Sequence, residues 1–85
     1  MPARKAILYR LVLPDYVCPD GALARHMLEQ GGFEIDEHVL ATRIEADAFT
    51  AKHDGARPPQ IFIGGERVGG CDEFMLYLAA AEANA

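Results

Sequence analysis

Nowhere does this 85-residue chain carry an apolar run approaching the roughly 18 residues that a membrane-spanning helix needs. Ala6-Ile7-Leu8-Tyr9 runs straight into Arg10, so the N-terminal stretch also lacks the core of a signal peptide. A cytoplasmic setting without membrane contact is the expectation. Basic residues are scarce: 8 Lys and Arg against 13 Asp and Glu leave a net charge of −5. Phosphate attraction needs a basic face, so a general nucleic-acid-binding role is excluded. Only 2 cysteines occur, Cys18 and Cys71, too few and too far apart for a disulfide scaffold. With 3 scattered histidines they offer no zinc spacing, and no metal site is expected. What is left for the cysteines is a free thiol with a purpose, or two inert buried thiols.

What is present points to a globular fold. Hydrophobic residues make up 51% of the chain, which sets it apart from disordered sequences. The length accommodates a single domain, residues 1–85, with a small core. Ala6 to Leu13 is a near-continuous apolar stretch suited to a strand buried on both faces, stopped by Pro14-Asp15. Pro19 fits the first position of a helix, where a missing N–H costs nothing. Leu23, Met27 and Leu28 then share one side, and Gly31-Gly32 ends the helix. Phe33, Ile35 and Val39 mark a half-exposed strand.

Thr42, with Glu45 three residues on, carries a capping-box signature. Ile44, Ala48, Phe49 and Ala51 continue that helix to about Lys52. Gln60–Ile63, a Gly64-Gly65 turn and Arg67-Val68 read as an antiparallel hairpin. Asp72 is suited to cap a last helix whose inward stripe is Phe74, Met75, Leu78 and Ala81. The order βαβαββα predicts an α/β fold: a mixed four-stranded sheet with helices on both faces.

The chemistry concentrates in three places. Cys18 stands at the start of a helix, where unpaired N–H donors and the macrodipole favour thiolate over thiol. One helical turn on, where a two-cysteine motif would carry its partner, this chain has Gly21. Asp20 and Asp15 lie close in sequence, and their charge opposes a thiolate. Pro59 opens the apolar strand Gln60-Ile61-Phe62-Ile63, where a residue unable to donate to the ladder is tolerated. Gly69-Gly70-Cys71-Asp72 then leads into the last helix.

Together, Cys18-Pro19-Asp20-Gly21, Pro58-Pro59 and Gly69-Gly70-Cys71-Asp72 resemble the glutaredoxin branch of the thioredoxin superfamily. The resemblance covers nearly the whole chain and is strongest from Pro59 to Phe74. It implies the thioredoxin-like fold in its smallest form and a thiol–disulfide oxidoreductase that uses glutathione. By that resemblance Cys18 is the nucleophile, and the absence of a cysteine at Gly21 makes the mechanism monothiol. Pro59 would be cis and face the thiol. The residue before it, Pro58, would pair with the cysteinyl part of glutathione through its carbonyl alone, having no N–H.

Gly70, Cys71 and Asp72 would hold the γ-glutamyl end, through helix N-terminal donors and the Asp72 carboxylate. Asp72 serves equally as a plain cap, and Cys71 is read as a structural thiol. Arg57 is either a contact for the glycyl carboxylate or a solvated arginine. The basic residue that the family places shortly before its cysteine is missing, since no Lys or Arg occurs from Leu11 to Val17. The implied partners are glutathione and glutathionylated or disulfide-bearing substrates, acted on by a monomer. The alternative is a non-catalytic glutathione- or protein-binding module on a degenerate glutaredoxin frame. An iron–sulfur scaffold ranks below both, because members with that role carry Cys-Gly-Phe-Ser.

Overall fold

The computed structural model describes residues 4–83, and side-chain surroundings up to residue 81. The elements, in chain order, are β1 (Lys5–Leu13), β2 (Tyr16–Val17), α1 (Pro19–Gln30), β3 (Glu34–Leu40) and α2 (Arg43–Lys52). They continue with β4 (Gln60–Ile63), β5 (Glu66–Gly69) and α3 (Cys71–Ala83). The strand β1 is central. It runs parallel to β3, from Lys5 opposite Glu34 to Leu11 opposite Leu40, and antiparallel to β4, from Ala6 opposite Ile63 to Tyr9 opposite Gln60. β5 pairs antiparallel with β4. These are the four strands expected, in a mixed sheet. A fifth, two-residue strand β2 folds back on β1 with Val17 opposite Val12. Pro14-Asp15 therefore turns the chain as a hairpin and does more than stop the strand.

The pleat of β1 divides the interior. Ala6 and Leu8 point to one face, where they pack with Ile61 and Ile63 of β4, Ala24 and Leu28 of α1, and Phe74 of α3. Tyr9 and Phe62 point to the other face and meet Phe49 of α2 and His53 just past its end, with Tyr9–Phe49 ring centroids 4.7 Å apart. Alternation along the strand produces both layers.

The helices bury part of what was expected: Leu28, Phe49 and Phe74 are inside and Met27 and Leu78 pack against the core, but other expected positions face out. α1 turns Gly21, Ala24 and Leu28 inward while Leu23 is 46% exposed. Small residues let this helix approach the sheet closely, and Leu23 falls off that stripe. α3 buries Phe74, with Tyr77 and Leu78 packed against the core, whereas Met75 is 52% exposed and Ala81 is also outside. α2 buries only Phe49, and Ile44, Ala48 and Ala51 face outward. That helix is anchored by one aromatic ring instead of an apolar stripe.

The ends of the helices follow their capping chemistry. The Thr42 hydroxyl accepts from the Glu45 N–H at 3.1 Å, and the Glu45 carboxylate accepts from the Ala41 N–H at 2.9 Å. The expected capping box is thus formed, displaced by one residue on its return bond. Gly32, with φ +76°, takes the chain out of α1.

Candidate functional site

Cys18 caps α1 in an extended conformation, and its carbonyl accepts from the N–H groups of Gly21 (3.1 Å) and Ala22 (3.3 Å). Its thiol makes no cap hydrogen bond. Pro19 at the first helical position has no N–H, and that of Gly21 is already used by the Cys18 carbonyl. The helix end thus offers the thiol fewer donors than a regular N-terminus would. Behind it, Gly21 lies against β1, where an added Cβ would meet the Arg10 Cβ at 3.0 Å. The Arg10 guanidinium is engaged elsewhere, by Glu37 at 2.9 Å. Glu37 also receives Arg25 of α1 at 2.6 Å, which ties the helix to β3.

The second wall is the loop before β4. The peptide bond between Pro58 and Pro59 is cis, as the resemblance implies. Gln60, buried beyond it, donates from Nε2 to the Arg57 carbonyl at 2.8 Å and so fastens both ends of the Pro-Pro segment. Sequence reasoning read Gln60 only as a strand residue. A polar residue at the head of an apolar strand, directly after Pro-Pro, was the available signal.

The third wall is the start of α3. Gly69 has φ +121°, and a Cβ there would lie 2.7 Å from the Glu73 Cβ, so both conformation and space require glycine. Gly70 approaches the cis-proline loop, with the Pro59 carbonyl 3.4 Å from where its Cβ would be. The Gly70 carbonyl accepts from the Phe74 N–H (2.9 Å), and the Gly70 N–H donates to Glu73 Oε1 (3.1 Å). Gly70 is therefore the cap, and Glu73 closes a capping box across it. Asp72 does not cap the helix, as proposed from sequence. It occupies the first turn with its side chain exposed.

Cys71 is half-buried, and its Sγ donates to the Asp20 carbonyl at 3.1 Å. Burial pushes this thiol's pKa up, and the charges of Asp20, Asp72, Cys18 and Glu73 push it further. The three walls enclose a cleft of about 310 Å³. Arg57, Pro59, Gly70, Cys71 and Asp72 all line it, together with Gln60. Cys18 stands at its margin, two residues before the lining Asp20, and Pro58 lies behind the cis bond; neither lines the cleft itself. Three acidic residues, Asp20, Asp72 and Glu73, share the lining with one basic residue, Arg57. Leu23 and Met75, exposed against expectation, form its apolar rim.

A second hollow of about 350 Å³ lies across the other face of the sheet, between Lys5, Asp36 and Phe62, and holds no thiol. Among the described residues no group of three or more His, Cys, Asp or Glu is arranged to hold a metal ion.

No protein-family model and no curated protein matches this sequence. Solved structures do match it. Glutaredoxin 1 from Francisella tularensis, crystallised with cacodylate, superposes with a TM-score of 0.74 at 24% identity, covering 98% of this chain and 100% of that one. A buckwheat glutaredoxin–glutathione complex gives a TM-score of 0.71 at 20% identity, covering 89% of this chain and 69% of that one. The chain has the glutaredoxin fold. In this glutaredoxin fold, the first turn of the helix that Cys18 caps, the cis-proline loop and the Gly70-capped helix meet around one cleft.

Proposed function

We propose that this protein is a glutathione-dependent thiol–disulfide oxidoreductase acting through Cys18 by a monothiol route. The observation that carries the reading is the cis Pro59 loop lying against Gly70 at the head of α3, its carbonyl 3.4 Å from where a Gly70 Cβ would be, beside the helix that Cys18 caps. The buckwheat glutaredoxin of the same fold holds glutathione. Here the cysteinyl backbone N–H of glutathione would donate to the Pro58 carbonyl. Its γ-glutamyl carboxylate would accept from the first-turn N–H groups of Cys71 and Asp72, beside Gly70, and its ammonium would meet the Asp72 carboxylate. Arg57 is the one cation on the cleft available to the glycyl carboxylate.

The chemistry takes two exchanges. The Cys18 thiolate attacks the glutathionyl sulfur of a glutathionylated substrate, forming a Cys18–glutathione disulfide and releasing the substrate thiolate. The thiolate of a second glutathione then attacks the glutathionyl sulfur. Glutathione disulfide leaves and Cys18 is restored as thiolate. Electrons come from glutathione, and the setting we infer is a monomer in the cytoplasm.

One observation favours the second reading, a binding module without turnover. The Cys18 thiol makes no cap hydrogen bond, Pro19 has no N–H, and the Gly21 N–H is taken by the Cys18 carbonyl, so the helix end does little to activate the thiol. A mixed-disulfide reduction assay coupled to glutathione, on wild type and Cys18→Ser, separates the two. Activity lost in Cys18→Ser supports the oxidoreductase. Absence of turnover in folded wild type that still binds glutathione gives the protein to the binding class.

A further inference from the structure

Among the described residues, Gln60 is the one polar residue buried with the core, 7% exposed. Burying an amide is costly unless its groups are paired, and both ends of this one are. Nε2 donates to the Arg57 carbonyl at 2.8 Å, and Oε1 accepts a weaker bond from Arg67 Nη1 of β5 at 3.5 Å. The backbone of Gln60 lies in the sheet, opposite Tyr9 of the central strand. Its side chain therefore ties Arg57, on the wall of the cleft, to the middle of the sheet.

The residues in between cannot supply that tie. Pro58 and Pro59 have no N–H, and an ordinary four-residue turn closes through a backbone N–H on its first carbonyl. Here the side-chain amide of the fourth residue takes that place. A peptide unit is planar, so a held Arg57 carbonyl also holds the Arg57 Cα, while the Pro58 ring fixes the next φ. Arg57 is exposed and, among the described residues, forms no ion pair. With no partner to hold the guanidinium, its stance over the cleft is decided by its backbone.

We propose that Gln60 is a positioning residue that makes the cleft selective for γ-glutamylcysteinyl peptides ending in a further residue with a free carboxylate. The proposal rests on the glutathione reading given above, in which Arg57 meets the glycyl carboxylate. Gln60 acts on that carboxylate through Arg57. Asp20, Asp72 and Glu73 share the lining with this one basic residue, so a guanidinium free to turn would divide its time among them. Loss of the amide bond lowers the fraction of chains whose Arg57 stands ready, and affinity falls by that fraction. The γ-glutamyl end binds at the head of α3, to which Gln60 makes no hydrogen bond, so its contribution stays as it was.

The test measures calorimetric binding of two probes that cannot exchange disulfides, S-methylglutathione and γ-glutamyl-S-methylcysteine, the second lacking the glycyl residue. Wild type, Arg57→Met, Gln60→Met and the double variant form a cycle. Gln60→Met should weaken the tripeptide about fivefold and leave the truncated probe within about twofold of wild type. In the Arg57→Met background the same change should cost the tripeptide less than about twofold. A merely structural role gives additive losses, or equal losses on both probes, and either result overturns the proposal. Full tripeptide affinity in Arg57→Met or in Gln60→Met overturns it too, and leaves the glutathione reading standing. Gln60→Asn, polar but one methylene short of the carbonyl, takes the place of Gln60→Met should that chain not fold. If wild type binds neither probe, both readings fall together.

Discussion

Glu73 Oε1 accepts a hydrogen bond from the N–H of Gly70 at 3.1 Å, so a carboxylate of the chain itself sits at the helix end proposed to receive that of glutathione. A negative charge there stabilises the helix and opposes an incoming anion. Glu73→Gln keeps an oxygen for the Gly70 N–H and removes the charge. Glutathione affinity measured by calorimetry should rise about threefold, an effect of under 1 kcal/mol for an exposed group. The gain should shrink in high salt. Equal or weaker binding would remove Glu73 from the electrostatics of the site.

Pro58 offers a carbonyl but no N–H to an extended peptide. Pro58→Val restores the donor, and one net hydrogen bond of about 1 kcal/mol corresponds to roughly fivefold tighter binding. Calorimetric titration with S-methylglutathione, which cannot exchange disulfides, reads this without interference from the thiols. A folded Pro58→Val chain with unchanged affinity would mean that the peptide does not align along this segment.

Gly21 is helical, and helix propensity alone predicts that alanine would stabilise it by up to about 1 kcal/mol. The Arg10 Cβ, fixed to the central strand, would lie 3.0 Å from the new methyl group. Overpacking at a site that cannot yield costs about 1–3 kcal/mol, so the packing term wins. Gly21→Ala should unfold at lower urea concentration than wild type, and Gly21→Cys at lower still. A stabilised Gly21→Ala chain would show that α1 can move off the sheet.

Glu37 lies between Arg10 and Arg25. Burial on its own would raise its pKa, but the hydrogen bond and charge of Arg25 and the charge of Arg10 outweigh it, and the net direction is down from 4.5. A depressed folded pKa gives stability that is present above the unfolded value and lost as pH falls through the folded one. Glu37→Gln should therefore cost about 1 kcal/mol at pH 7. The difference from wild type should fade as the pH drops below about 4. Urea midpoints across that range measure it, and a gap independent of pH would assign the loss to packing.

The parts of this molecule that were legible in the sequence are those whose role is set by their own backbone. Pro59, Gly69 and Gly70 and the Thr42–Glu45 cap need only local chemistry to be placed, and the four principal strands followed from alternation and length. The helix faces were less legible. In α1 the inward stripe is Gly21, Ala24 and Leu28, and small residues carry little weight in a periodicity of apolar side chains. Leu23 and Met75 looked like core because their hydrophobicity was counted without the cleft they border. Glu73 was missed because its capping box has glycine where serine or threonine would announce it. β2 is two residues long, too short for any period to show.

The central strand β1 precedes in the chain both strands that flank it, residues 34–40 and 60–63. During synthesis Lys5–Leu13 therefore leaves the ribosome with two open edges. The parallel edge can be covered once Leu40 is out, and the other only after Ile63. Until then, an apolar strand destined for the middle of the sheet is exposed to whatever chain lies nearby. The strand that organises this fold is also the segment that depends longest on what has yet to be made.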